Sequence, residues 1–175
     1  MTHLTMTDLS IVRWGILSTA AINVHLIRAI NMSTRSELIA VASRSEEQAE
    51  SYAKKHGIAR AYGSYAALLA DLDVDAVYVS LPNSLHSEWI VQAAQAGKHV
   101  LCEKPLVISM EQFDAVESAA DTCDVVVFEG FANLHHPSIE QSLEIVRSGM
   151  LGRLQFINGW QYFTVPPEDQ DNIRL

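Results

Sequence analysis

The chain has 175 residues, of which 49% are hydrophobic and 19% charged, with a formal net charge of −9. That length suits one domain, or one domain and a piece of another, with enough apolar residues for a substantial core rather than a disordered tail. The negative charge argues against a nucleic-acid partner, because neutralising phosphates needs clustered Lys and Arg.

Along the chain, β-branched runs alternate with helical patterns. Residues 11–17 read as a first strand, and 23–32 as a helix with Ile22, Leu26, Ile27 and Ile30 on one face. "ELIAVA" (37–42) is the second strand. Ser45 then starts a helix, with Gln48 three residues on completing a capping box, and Gly57 closes it. A short extended segment at 59–62 and a brief helix at 64–70 precede "AVYVS" (76–80), a strand whose composition implies burial on both faces. A helix at 88–96 ends at Gly97, as left-handed termination prefers. "KHVLC" (98–102), a helix at 110–120 and a strand at 125–128 continue the alternation. Continuous Val/Ile strands between helices imply a parallel sheet wrapped on both faces by right-handed crossovers, the doubly wound α/β class.

The pattern changes near residue 150. A helix at 137–148 ends at Gly149 and Gly152, and "RLQFINGWQYFTV" alternates like an exposed antiparallel strand. A lone strand cannot bury its face, so it needs partner strands. Residues 1–150 are therefore expected to form the first domain, and 151–175 the first strand of a second one whose remainder is absent. The opening "MTHLTMTDLS" lacks the basic and apolar regions of a secretory signal, and no run approaches the roughly 20 apolar residues of a membrane span. Two cysteines, Cys102 and Cys123, exclude a disulfide framework, and a soluble, cytoplasmic protein is expected.

In open α/β sheets, ligands sit beyond the carboxyl ends of the strands. Three such ends carry unusual residues. In the first turn, Ser18, Ala20 and Asn23 occupy the three glycine slots of a dinucleotide-binding fingerprint, and Gly15 lies within the strand. Small side chains and a following helix amino end are retained, and Ser18 and Thr19 add hydroxyls. The turn alone fits either an altered phosphate loop or an ordinary strand-to-helix connection. At the second end, Ser43 and Arg44 stand where a cofactor lacking a 2′-phosphate usually meets Asp or Glu; Arg offers a forked partner for that phosphate. This favours NADP over NAD, the plainer alternative being an Arg44 paired with Glu46 or Glu47.

The third region joins "SLPNSLHSEW" to "LCEKPL", bringing Asn83, His86, Glu103 and Lys104 to the same rim. Removing hydride from an alcohol requires the hydroxyl proton to leave too, and a lysine in a desolvated, cationic neighbourhood can relay it. The plainer alternative for Lys104 is a solvated pair with Glu103. His86 taken alone suits a helix start or a packing position better than a catalyst. His135 and His136 lack a neighbouring ligand set, so no metal is expected. Cys102 fits a buried strand residue better than a nucleophile.

Taken together, "RWGILSTAAI", "VASRSEEQAESYAKKHGI", the 62–106 block ending in "LCEKPL", and "EGFANLHHPSIEQSLEIVRSGMLGRL" resemble the Gfo/Idh/MocA oxidoreductases in order and spacing. The resemblance runs from Val12 over nearly the whole chain, and Glu-Lys-Pro at its strand end is its most specific part. It implies a Rossmann NAD(P)-binding domain followed by an open-sheet α/β domain that binds substrate and forms dimers or higher homo-oligomers. It further implies hydride transfer between NADP (or NAD) and a sugar or cyclic diol. Ser18, Thr19, Ala20, Ala21 and Ile22 would form the phosphate loop, with Ser43 and Arg44 at the ribose. Leu81, Pro82, Asn83, His86 and Glu103 would line the cofactor, and Lys104 would lie beside the nicotinamide as acid/base relay.

Two departures matter. "EGFANLHHP" replaces the family's "EAFMYRFHP"-like segment, so Asn133, Leu134 and His135 stand in place of Tyr, Arg and Phe. The family's further catalytic group comes from a region beyond Leu175. A sugar-sensing regulator that kept the fold without the chemistry is the rival reading, and an intact Lys104 weighs against it. A third reading is a truncated remnant that folds poorly alone, with an exposed edge at "LQFINGWQYF".

Overall fold

The computed structural model describes residues 11–160 and 162. The chain divides into two compact units, one reaching Phe131 and the other starting at Ala132.

In the first unit, strands β1 (Val12–Leu17), β2 (Ser36–Ala42), β3 (Arg60–Tyr62), β4 (Ala76–Val79), β5 (His99–Cys102) and β6 (Val127–Glu129) form one parallel sheet in the order β3-β2-β1-β4-β5-β6. The order reverses between β1 and β4, which opens a crevice beyond their carboxyl ends. The connections are helices α1 (Asn23–Met32), α2 (Glu46–His56), α3 (Tyr65–Leu69), α4 (His86–Gln95) and α5 (Met110–Cys123). A short 3-10 turn, Asn83–Leu85, precedes α4.

Successive strand residues point to opposite faces, and the core accordingly splits in two. Leu17, Ala42, Val77, Val79 and Val100 pack with Leu68, Ile90 and Val116 of α3, α4 and α5. Ile16, Val41 and Tyr78 pack on the other side with Ile27 of α1 and Ala53 of α2. All four residues of β4 are buried, as its composition implies. Gly15, the glycine kept within β1, serves this packing: a Cβ there would lie 2.7 Å from a methyl of Leu68.

Ser45 accepts a hydrogen bond from the Gln48 N–H at 3.3 Å, as a capping box requires. The reciprocal half of the box is not formed. The Gln48 side chain instead accepts from the Ser43 hydroxyl at 3.2 Å, because that hydroxyl is within reach at the end of β2. Gly57 and Gly97 end α2 and α4 with φ of 70° and 72°, in the left-handed region their sequence positions imply.

In the second unit, a 3-10 turn (Ala132–His135) leads to α6 (Pro137–Arg147). His136 caps this helix, its Nδ1 accepting from the Ser138 N–H at 3.2 Å. Ile139, Leu143 and Val146 form an apolar stripe along α6 that is not buried. The strand expected after residue 150 has no partner among the described residues, and 153–160 form no regular element. Residue 161 and residues 163–175 of that segment lie outside the described residues.

Candidate cofactor site

The strand register fixes the rim. Leu17 lies opposite both Ala42 and Val79, Val79 opposite Cys102, and Cys102 opposite Glu129. The next residue after four of these strand ends is Ser18, Ser43, Ser80 or Glu103, so the three regions singled out from sequence share one edge of the sheet.

Ser18 holds the first glycine slot with φ of 145°, a conformation that side chains other than glycine rarely adopt. Hydrogen bonds hold it there. Its Oγ lies 2.7 Å from Ser80 Oγ and accepts from the Ala20 N–H at 3.1 Å. Asn23, in the third slot and fully buried, donates from Nδ2 to the Ser18 carbonyl at 3.1 Å. The Ser80 hydroxyl donates to Asn23 Oδ1 at 2.6 Å. Polar bonds thus replace the close helix-on-strand approach that a glycine would give. No protein acceptor among the described residues takes the backbone N–H of Thr19, Ala21 or Ile22, although the N–H groups of Asn23, Val24 and His25 are bonded. Three free donors in a turn of small residues before a helix fit an anion.

Ser18, Thr19 and Ala20 form one wall of a cleft of about 250 Å³. Ser43 and Arg44 form a second wall, and Leu81 and Pro82 a third. Sequence reading missed four contributors to the cleft: Gln48, Tyr65, Ser80 and Leu85. Ser80 stands directly after a strand, a signal that its position could have supplied; Tyr65 arrives through α3, which no motif marks. Arg44 is exposed and takes no part in the ion pairs of the described residues, which join Arg13 and Arg60 to Asp71, Asp73 and Asp75. The alternative pairing with Glu46 or Glu47 is not formed, which leaves the guanidinium open to a ligand.

The cleft lining does not include Ala21, Ile22, Asn83, His86, Glu103 or Lys104. Ala21 and Asn83 are exposed. His86 is 1% exposed, so its ring presents nothing to solvent. Glu103 does not pair with Lys104 through its ammonium. Its Oε1 accepts from the Tyr78 hydroxyl at 2.6 Å, and its Oε2 from the Lys104 backbone N–H at 3.3 Å. The Lys104 side chain is exposed while the loop carrying it is held. Leu106 N–H donates to Glu129 Oε1 at 2.8 Å, and the Glu103 N–H to the Val79 carbonyl at 2.9 Å. Tyr78 and Glu129 were not legible as supports, since each lies inside an ordinary strand pattern.

Cys102 is fully buried, and burial, aided by Glu103 and Glu129, pushes its thiol up to about 12. That thiol is no nucleophile at neutral pH. Among the described residues, no group of three or more His, Cys, Asp or Glu side chains is arranged to hold a metal ion. Nor is any of their helices long and apolar enough to cross a membrane.

Comparison with known proteins shows the family. D-xylose 1-dehydrogenase (NADP(+)) 2 of Haloferax volcanii is 41% identical over 162 residues, covering 93% of this chain and 49% of the relative. Trans-1,2-dihydrobenzene-1,2-diol dehydrogenase of Xenopus laevis is 33% identical over 159 residues, covering 88% of this chain and 48% of the relative. The crystal structure of KijD10, a 3-ketoreductase from Actinomadura kijaniata, in complex with NADP superposes with a TM-score of 0.75 at 36% identity. That match covers 82% of this chain and 46% of the other. The chain thus spans about half the length of the curated relatives it matches. The profile of the oxidoreductase family with an NAD-binding Rossmann fold, Gfo/Idh/MocA, matches residues 12–131, and the chain belongs to that family.

Proposed function

We propose that this chain is the NADP-binding half of a cytoplasmic dehydrogenase acting on a hydroxyl or carbonyl group of a sugar or cyclic diol. The observation that carries the reading is the placement of an unpaired Arg44 in the same cleft as the Ser18–Ala20 turn. Thr19, Ala21 and Ile22 would hold the pyrophosphate with their free N–H groups, and Arg44 with Ser43 the 2′-phosphate. The nicotinamide, when bound, supplies the hydride acceptor or donor. Removing hydride from a carbinol carbon leaves a carbonyl only if the hydroxyl proton departs as well. We assign that proton to Nζ of Lys104, which returns it to the carbonyl oxygen in the reverse direction. The names of the xylose and dihydrodiol relatives support the substrate class.

Residues 151–175 belong, in this reading, to the first strand of the substrate domain, whose sheet supplies the homo-oligomer contact. Replacing Lys104 by Ala in the protein joined to its substrate domain is expected to lower turnover roughly 100-fold or more. The NADPH dissociation constant should stay within about threefold, since a proton relay adds little to ground-state binding. Unchanged turnover in steady-state assays would remove Lys104 from this role.

A further inference from the structure

The loop after β4 and the loop carrying Lys104 must keep a fixed relation if the lysine is to meet a substrate beside the cofactor. Among the described residues, no backbone hydrogen bond joins 81–85 to 104–109. One side chain does. His86 lies 2.8 Å from the Pro105 carbonyl through Nδ1 and 2.8 Å from the Leu81 carbonyl through Nε2. Leu81 is part of the cofactor cleft, and Pro105 follows Lys104 directly.

Both partners are carbonyl oxygens, which only accept. The 3-10 turn Asn83–Leu85 runs directly into α4 at His86, so the ring sits at the start of a held helix. With the ring 1% exposed and one nitrogen 2.8 Å from the backbone of each loop, His86 is the side-chain link between them.

We propose that His86 is a positioning residue for Lys104, its ring bridging the Leu81 and Pro105 carbonyls and so fixing the lysine loop to the cofactor wall. This rests on the dehydrogenase reading given above. The buried His86 ring is not part of the cleft lining. Its effect on rate passes through the lysine.

Two measurements test it. In the 175-residue chain, amide hydrogen exchange at Lys104 and Leu106 is expected to be faster in His86→Phe than in the parent. Unchanged exchange overturns the tether. In the protein joined to its substrate domain, H86Q, which keeps at most one of the two bonds, and H86F are expected to lower kcat about 10- to 100-fold. Their NADPH dissociation constants should stay within about threefold of the parent. Adding H86Q to K104A should lower kcat no further, because a residue acting through Lys104 has nothing left to position. A double variant slower than K104A by the full H86Q factor would reduce His86 to a structural role, as would full activity in both single variants. If the parent fails to bind NADPH, or K104A turns over normally, the dehydrogenase reading fails, whereas the exchange result still decides whether His86 holds the loop.

Discussion

At the residue scale, the altered fingerprint works by exchanging backbone freedom for hydrogen bonds. Ser18 keeps the φ of a glycine slot and is held there by Ser80, Asn23 and the Ala20 N–H. Ser18→Ala removes the hydroxyl and keeps the strain, and is expected to cost about 1–3 kcal/mol. Ser18→Gly loses the same hydroxyl but relieves the backbone, so it should be the more stable of the two by about 1–2 kcal/mol. Urea unfolding midpoints compare them, and S18A at or above S18G would show that the turn is unstrained. Arg44 makes the second residue-scale prediction. Losing a forked, charge-assisted contact with a phosphate costs about 1.5–3 kcal/mol, so Arg44→Ala should weaken NADPH roughly 10- to 100-fold and leave NADH nearly unchanged. Ser18, Ser43 and Arg44 were legible because strand ends can be located from apolar runs. The supports of the lysine loop were not: the side chain of Tyr78 reads as one more apolar strand position, and its bond to Glu103 depends on two strands pairing in register.

At the element scale, the two ends of the sheet differ in kind. The carboxyl end is small and polar, while the amino end is stitched by charge. Arg60 pairs with Asp71 and Asp73, Arg13 with Asp73 and Asp75, and Lys98 Nζ donates to the carbonyls of Asp71 and Val74. Burial of Asp71 favours its protonated form. Hydrogen bonds from Arg60, the Asp73 N–H and the Tyr62 hydroxyl outweigh this and hold the carboxyl at about 2, below the ordinary 3.8. A depressed value means that the stabilisation is fully present above pH 4 and lost as pH falls toward 2. Asp71→Asn is therefore expected to cost about 1–3 kcal/mol at pH 7 and to flatten the acid limb between pH 4 and 2. Thermal melts across that range check it; an unchanged limb would place the acid sensitivity elsewhere. Element types were legible throughout the first unit because strand runs and helix periods differ, and Gly57 and Gly97 mark their ends well. The capping box was half right, since the reach of Gln48 depends on where β2 places Ser43, a tertiary fact.

At the scale of the molecule, the parallel order β3-β2-β1-β4-β5-β6 puts the reversal point between β1 and β4, and the cleft opens there. The sequence pattern implies the class of this sheet; its register then brings Ser18, Ser43, Ser80 and Glu103 to one edge. The segment after residue 150 was legible only as a pattern, since a strand exists through its partners and the described part has none. The rim is expected to be an NADP site within the chain itself. Fluorescence titration of the 175-residue chain with NADPH and with NADH tests it most directly. Saturable binding with NADPH favoured at least roughly 10-fold is predicted, with that preference lost in Arg44→Ala. No saturation by either nucleotide at millimolar protein, or equal binding of both by the unaltered chain, would contradict it.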